Sequence, residues 1–169
     1  MLKIDRGLFY LAGVVAGDGH LRDGIKWKGK DNSKDYGIMI YSNDIIYLNY
    51  LLNLIKNKID TKTEIKEGKR AYYISIRNKK LHQILHNYFE IPLGKKSDIL
   101  SISENLKEHK YFTYFLAGLF DTDGGLRGNS IGFCSASEKL VLDFNEYLNN
   151  RSITNSIDKW TNKKYNKEY

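Results

Sequence analysis

The amino-acid sequence predicts an α+β fold built from two similar halves, and three observations support this prediction. Over residues 1–94, apolar residues follow helical and strand spacing in the order helix, two strands, helix, two strands, helix. The segment Leu11–Gly19 recurs as Leu116–Gly124, which indicates a duplicated unit and a pseudo-two-fold molecule. The 169 residues are 41% hydrophobic and 13% aromatic, so the chain can bury a core as one domain or as two small halves that share one.

Three helices and two hairpins are predicted within residues 1–94. Asp5 is a suitable N-cap for the first helix, and the Gly-Asp-Gly-His stretch at 17–20 should end it. Alternating or β-branched runs predict the strands, and apolar residues at helical spacing predict the later helices. In chain order, the remaining elements are strands at 25–28 and 36–41, a helix at 44–57, strands at 62–66 and 71–77, and a helix that ends near Phe89.

The second half, residues 111–169, follows a charged stretch at 95–110 that predicts a linker or a further helix. Its copy of the repeated segment leads into strand-like residues and then into an amphipathic helix, whose start at Ser135–Glu138 has capping-box spacing. Fewer residues follow this copy than follow the first. We therefore expect the second repeat to be C-terminally shortened, without most of its last strand and its final covering helix, and its sheet to be frayed.

The charge balance favours a polyanionic partner. Lys and Arg exceed Asp and Glu by seven, which points to nucleic acid first and an anionic membrane second. The single cysteine, Cys134, excludes an intramolecular disulfide and a four-cysteine zinc site. No apolar run approaches the roughly 18 residues that span a bilayer, and no secretory leader is visible. We expect a soluble, intracellular protein that does not bind membranes.

The paired segments resemble the signature of the LAGLIDADG homing endonucleases, in the single-chain form that carries two copies. The residues that match by letter are Leu11, Ala12, Gly13, Asp18 and Gly19 in the first copy, and Leu116, Ala117, Gly118, Leu119, Asp121, Asp123 and Gly124 in the second. The resemblance implies two pseudo-symmetric αββαββα repeats that form a saddle of antiparallel sheets on DNA. It also implies metal-dependent, staggered double-strand cleavage of a long asymmetric duplex site by a monomer, unless a second chain completes the shortened repeat.

Small residues in the paired segments predict a close contact between two helices. Gly13 and Gly17 share a face with Ala12 and Ala16, and Ala117, Gly118 and Thr122 offer a similar face in the second copy. Two helices packed in this way would bring their ends together, along the pseudo-two-fold axis.

Asp18 and Asp123 would then lie close together at equivalent helix ends. The negative pole of each helix and the like-charged neighbour both disfavour two free carboxylates, so a cation is expected between them. Mg²⁺ suits carboxylate and phosphate oxygens, Mn²⁺ can substitute, and Ca²⁺ should support DNA binding with little cleavage. The candidate metal site is Asp18, Asp123, Gly17 and Thr122. The alternative is that both aspartates only hydrogen-bond the helix ends, and a catalytically decayed homologue would also keep them.

The resemblance alone predicts a catalytic lysine beside this site. Gly94-Lys95-Lys96-Ser97 is similar to the segment that delivers a lysine to the scissile phosphate in LAGLIDADG relatives, so Lys95 or Lys96 is a candidate catalytic residue. A solvated charged loop is the competing interpretation. Asp121 matches an earlier acidic position of the motif, where the first copy has Ala16, and is predicted to be structural or auxiliary.

Basic and polar residues alternate with apolar ones along the predicted strands. Such a sheet face can lie in the major groove, read base edges and contact phosphates. The candidate DNA-binding residues are Arg22, Lys26, Lys28, Tyr41, Lys62, Lys66, Arg70, Tyr73, Arg77, Arg127 and Lys159. The rival interpretations are an ordinary solvent-facing alternation, a non-cleaving maturase or DNA-binding protein that recognises intron RNA or an operator, and a generic basic RNA-binding domain.

Overall fold

The computed structural model describes residues 2–23, 35–159, 161–162 and 167–168. In chain order, the elements are α1 (Arg6–Gly17), β1 (Gly19–Leu21), β2 (Gly37–Ser42), α2 (Ile45–Lys56), β3 (Ile65–Glu67), β4 (Tyr72–Arg77), α3 (Lys79–Asn87), α4 (Glu104–Lys107), α5 (Phe112–Asp123), β5 (Gly124–Arg127), β6 (Ser130–Phe133), α6 (Glu138–Asn149), β7 (Thr161–Asn162) and β8 (Lys167–Glu168). The predicted α+β class is confirmed, and so is the predicted order of elements in the first half.

The first half contains an antiparallel sheet with the strand order β1-β2-β4-β3. Ile38 pairs with Ile76 and Ile40 with Ile74, and all four side chains are buried on the inner face. Residues between them point to the opposite face, because successive side chains of a strand alternate. Tyr41, which pairs with Tyr73, lies on this outer face.

The first strand differs from the prediction. The predicted strand at 25–28 lies outside the described residues, and β2 pairs instead with Gly19–Leu21, which starts directly after α1. Gly19 makes this abrupt change of direction possible, because a Cβ there would come within 2.5 Å of the Val15 Cα. The helix-ending glycine is therefore already the first residue of the sheet.

Helix starts follow the expected capping chemistry. Asp5 accepts a hydrogen bond from the Leu8 N–H at 3.0 Å, as predicted, and Asp44, Asn78 and Ser137 cap α2, α3 and α6 in the same way. Asp5 also pairs with Lys58 at 2.5 Å, which joins the start of α1 to the chain after α2.

The charged stretch 95–110 is an ordered part of the fold. It contains the single turn α4, and its apolar residues Leu100, Ile102 and Leu106 are buried. The Ser137 hydroxyl donates to the Leu100 carbonyl oxygen at 2.5 Å, and the Ile102 N–H donates to Asp143 at 2.8 Å. These contacts attach the segment to α6, so it joins the two halves as packed structure.

The described strands of the second half form two separate pairs, β5–β6 and β7–β8. Leu126 and Ile131 are cross-strand partners that are 84% and 72% exposed, whereas their counterparts in the first repeat, Leu21 and Ile38, are buried. In the described part of the second half, β5 and β6 therefore expose two apolar side chains whose counterparts the first half buries. No helix in the described part of the chain is long and apolar enough to cross a membrane.

Candidate active site and nucleic-acid interface

Two glycines let the backbones of α1 and α5 touch. A Cβ at Gly13 would lie 2.0 Å from the Phe115 carbonyl oxygen, and a Cβ at Gly118 would lie 2.1 Å from the Tyr10 carbonyl oxygen. The two contacts are reciprocal, as a pseudo-two-fold axis between the helices requires. One predicted member of the small-residue face is wrong, since Ala117 is exposed.

The same close approach brings Asp18 and Asp123 together. A Cβ at Gly17 would meet the Thr122 hydroxyl oxygen at 1.8 Å and a carboxylate oxygen of Asp123 at 3.0 Å. Asp18 is the C-cap of α1 and Asp123 is the last residue of α5, so both carboxylates stand at helix C-termini. The Thr122 hydroxyl itself donates to the Leu119 carbonyl oxygen at 2.8 Å, within its own helix.

The two carboxylates oppose each other's ionisation. Burial and then the charge of Asp18 raise the pKa of Asp123 to about 6, although Lys96 acts in the opposite direction. Burial also raises the pKa of Asp18, again against Lys96. Asp123 is half-buried, whereas Asp18 is more open to solvent. A pair of this kind favours a bound cation.

Lys96 supplies positive charge at the pair. Its ammonium group donates hydrogen bonds to the carbonyl oxygens of Ala16 and Gly17, at the end of α1. Burial lowers the pKa of Lys96, whereas Asp123 and Asp18 favour its charged form. Lys95 instead pairs with Asp98 at 2.6 Å on the surface. Of the two candidate lysines, the structure therefore brings only Lys96 to the carboxylates.

Gly94 accounts for the path of this segment. Its N–H donates to the Leu21 carbonyl oxygen at 2.7 Å, and its φ of 69° lies in the left-handed region that favours glycine. The lysine-bearing loop is thereby attached to β1, which starts directly after Asp18.

A tyrosine pair beside the site was not predicted. The Tyr10 hydroxyl donates to Asp121 at 2.5 Å, and it lies 3.2 Å from the Tyr47 hydroxyl on α2. Burial and the bond to Asp121 raise the pKa of Tyr10, and burial raises the pKa of Tyr47 to about 12. These contacts join α1, α2 and α5, which agrees with a structural role for Asp121.

The outer face of the four-stranded sheet gathers most of the predicted DNA-binding residues of the first half. Tyr41 and Tyr73 are cross-strand partners with ring centroids 5.9 Å apart, and Lys66 pairs with Tyr73 in the next strand. Lys62 lines a surface groove together with Lys66 and Arg77. Arg70 is exposed in the turn between β3 and β4.

Four predicted DNA-binding residues are not part of this outer face as described. Lys26 and Lys28 lie outside the described residues. Arg127 is the last residue of β5, where only its backbone is described. Lys159 lies in the second half and pairs with Glu138 at 2.6 Å, at the start of α6.

Asp35 is a further residue that sequence reasoning missed. Its carboxylate pairs with Arg22 at 2.6 Å and with Arg77 at 3.6 Å, on the outer side of the sheet. Nothing in the spacing of acidic residues distinguishes Asp35 from its neighbours, because the pairing depends on the chain after β1 and the end of β4 lying on either side of the start of β2.

The carboxylate pair offers oxygen atoms that a metal ion could bind. No group of three or more His, Cys, Asp and Glu side chains suited to a metal occurs among the described ranges. A ring nitrogen of His82 and one of His86 contact the carbonyl oxygens of Arg22 and Ile91, at 3.0 and 2.9 Å. A cation at Asp18 and Asp123 would therefore complete its shell with carbonyl, water or phosphate oxygens.

Comparisons with known proteins match this architecture. Residues 111–169 match the family described as LAGLIDADG-like domain. The structure of I-DmoI in complex with DNA and Mn is 20% identical, with a TM-score of 0.70 over 96% of this chain and 87% of that one. The homing endonuclease I-WcaI bound to its DNA recognition sequence is 16% identical, with a TM-score of 0.66 over 99% and 76% of the two chains. No curated protein matches significantly.

The family model covers the second copy of the repeated segment, and the structural match extends over both copies. The predicted resemblance is therefore confirmed: residues 111–169 match the LAGLIDADG-like domain family, and the described chain has the fold of the homing endonucleases I-DmoI and I-WcaI.

Proposed function

We propose that this chain is a site-specific, metal-dependent DNA endonuclease that cuts both strands of a long asymmetric duplex site. The observation that carries the proposal is the pairing of Asp18 with Asp123 at the ends of two touching helices, with Lys96 beside them. The tyrosines and basic residues on the outer face of the sheet support a DNA partner. The solved relatives I-DmoI and I-WcaI are bound to DNA, which agrees with this assignment.

The donor atoms of the pair fit a hard divalent cation. Two carboxylates that repel each other offer oxygen ligands, and Mg²⁺ takes few protein carboxylates while it keeps water and phosphate ligands. Asp18 and Asp123 would hold the ion. When bound, it would activate water and stabilise charge on the phosphate. I-DmoI has been solved with Mn, with Ca and, as a variant, with Mg, which supports the use of a divalent cation. Our proposal is Mg²⁺, with Mn²⁺ as a substitute and Ca²⁺ as an ion that supports binding with little cleavage.

The protein's own residues would perform three further tasks. Lys96 would hold a positive charge next to the scissile phosphate, where negative charge develops during cleavage. The contact between α1 and α5 would keep the carboxylates at a constant separation. Arg and Lys on the sheet would neutralise DNA phosphates and set the register. One chain with two unequal halves can read an asymmetric site, so we propose a monomer.

Cleavage of a pool of duplex targets with Mg²⁺ tests the proposal. Asp18→Asn and Asp123→Asn should each lower the cleavage rate by more than about 100-fold, because even the outer hydrogen-bond partners of metal ligands contribute 10- to 100-fold. Duplex binding, measured by gel shift with Ca²⁺, should stay near the wild-type value. Asp60→Asn removes the same charge from an exposed residue outside the pair and serves as the matched control.

Two outcomes would contradict the proposal. Wild-type cleavage in both aspartate variants would remove the pair from the chemistry. Specific binding to duplex DNA or intron RNA without any cut ends from the wild-type chain would favour the non-cleaving maturase or DNA-binding alternative.

A further inference from the structure

We propose that Asp35 is a positioning residue for base recognition, which holds Arg22 so that its guanidinium group can read one guanine in the major groove. The inference rests on the proposed DNA-binding function and deepens it. The base contact is that of Arg22, and the carboxylate of Asp35 lies on the outer face of the sheet, where the basic side chains attract phosphates.

The contacts of Arg22 fix its side chain along the sheet. Its Nη1 donates to Asp35 at 2.6 Å, and its Nη2 lies 3.7 Å from the Met39 sulfur. The Tyr41 hydroxyl lies 3.3 Å from the same sulfur. Arg22 therefore takes part in a continuous set of contacts across the outer face, and its side chain is only 37% exposed. A free surface arginine would have no such set of partners.

Gly37 provides the space for this arrangement. A Cβ at Gly37 would lie 2.7 Å from the Arg22 Cδ, so the arginine stem lies directly on the backbone of β2. Arg77 pairs with Gly37 across the sheet, and its Nε lies 3.6 Å from Asp35. Its side chain is 77% exposed, so Asp35 orders Arg22 much more closely than it orders Arg77.

A carboxylate on this face has two opposite effects on DNA binding. Its charge repels phosphates and neutralises an arginine that could otherwise contact the backbone of any sequence. Its hydrogen bond also holds a planar fork whose remaining N–H groups match the O6 and N7 acceptors of guanine, the commonest specific contact of arginine. Asp35 should therefore lower non-specific affinity while it raises discrimination at one base pair.

Selection from a randomised duplex pool in Ca²⁺, followed by sequencing of the bound fraction, measures the base preference at every position. The wild-type chain should prefer guanine at one position by about 5- to 150-fold, the range of a good bidentate contact. Asp35→Asn should reduce that preference to a few-fold and leave the other positions unchanged. It should also bind random duplex more tightly, with a log–log salt slope steeper by about 0.9 for each additional phosphate contact.

Two further variants separate positioning from charge and from folding. Arg22→Lys keeps the charge without the fork, so it should lose the guanine preference at the same position while it keeps non-specific affinity. Glu108→Gln removes one negative charge next to His109, which stacks on Phe9 near the start of α1, far from the aspartate end of that helix. It should leave the base preference unchanged.

The result that overturns the inference alone is duplex binding by the wild-type chain with an unchanged base preference in Asp35→Asn. Weaker non-specific binding by Asp35→Asn, or loss of preference at different positions in the Asp35 and Arg22 variants, would overturn it as well. A wild-type chain that binds no duplex DNA would overturn the proposed function and this inference together.

Discussion

Replacing Gly13 by alanine tests whether the contact between α1 and α5 leaves no room for a side chain. The added methyl group would lie 2.0 Å from the Phe115 carbonyl oxygen and 2.8 Å from the Leu119 amide nitrogen, and both are backbone atoms. Ordinary contact begins near 3.4 Å, so the helices would have to separate by more than an ångström. Gly118→Ala should act in the same way, since its methyl group would meet the Tyr10 carbonyl oxygen at 2.1 Å.

Two opposite effects determine whether Gly13→Ala raises or lowers the stability of the protein: the helix propensity of alanine and the overpacking of the helix contact. In an isolated helix, alanine is more favourable than glycine by about 1 kcal/mol. Overpacking costs about 1–3 kcal/mol, and the upper end applies because backbone atoms cannot rotate away. We expect Gly13→Ala to lower the free energy of unfolding by about 2 kcal/mol net. The melting temperature should fall by about 4–8 °C in a chain of this size.

Thermal and urea unfolding of the metal-free protein measure this change, and Gly125→Ala is the matched control. Nothing lies within 4 Å of a Cβ at Gly125, so its stability should change by no more than about 0.5 kcal/mol. Cleavage by Gly13→Ala should fall by up to about 100-fold, because the helix separation moves the two carboxylates apart. A variant as stable as the wild type, or more stable, would refute the close contact.

Duplex affinity should fall as salt rises, with a log–log slope of about −0.9 per neutralised phosphate, and a flat titration would contradict a basic DNA face. Lys96→Met should lower both cleavage and stability, because two helix-end carbonyl oxygens lose their donor and the carboxylates lose a neighbouring cation, whereas Lys95→Met should resemble the wild type in both assays. The metal-free protein should lose stability as pH rises from about 4 to about 6, because the folded chain binds a proton at Asp123 more tightly than the unfolded chain does. Urea titrations across this range should show the loss in the wild type and a smaller one in Asp123→Asn, where Asp18 alone keeps a raised pKa. Hydrogen exchange should be faster in β5–β6 than in β2–β4, whose apolar inner face is buried, and equal protection would contradict a weaker second half.

Much of the fold could be predicted from the sequence because its signals are local. Apolar spacing and capping residues such as Asp5 depend on neighbours within one helical turn, and the structure confirms the helices of the first half. The start of β1 at Gly19 was missed, because a turn from helix directly into strand leaves no polar loop to mark it. The packing of residues 95–110 against the rest of the fold was also not predicted, because three buried apolar side chains are too few to show a pattern among so many charged residues.

The site was predictable to the extent that it is duplicated. Two copies of one motif identified Asp18 and Asp123 as equivalent, and a close contact of their helices follows from the small residues. The choice between Lys95 and Lys96 depends on which way a loop turns after Gly94, and no periodic pattern encodes that. The role of Asp35 was not predicted for a similar reason, since one arginine partner follows β1 and the other ends β4, far away in the sequence.

The two motifs have diverged in matched pairs across the axis between α1 and α5. Tyr10 and Asp121 form a hydrogen bond on one side. Their counterparts on the other side are Phe115 and Ala16, both apolar and buried. A carboxylate opposite a phenyl ring, or a tyrosine hydroxyl opposite a methyl group, would leave a polar group without its partner. One side is therefore a polar pair and the other an apolar pair. The backbone contacts between α1 and α5 stay reciprocal, although the side chains around them differ. Such a junction can hold two equivalent aspartates at one centre and still carry two unequal halves, which is what recognition of an asymmetric duplex requires.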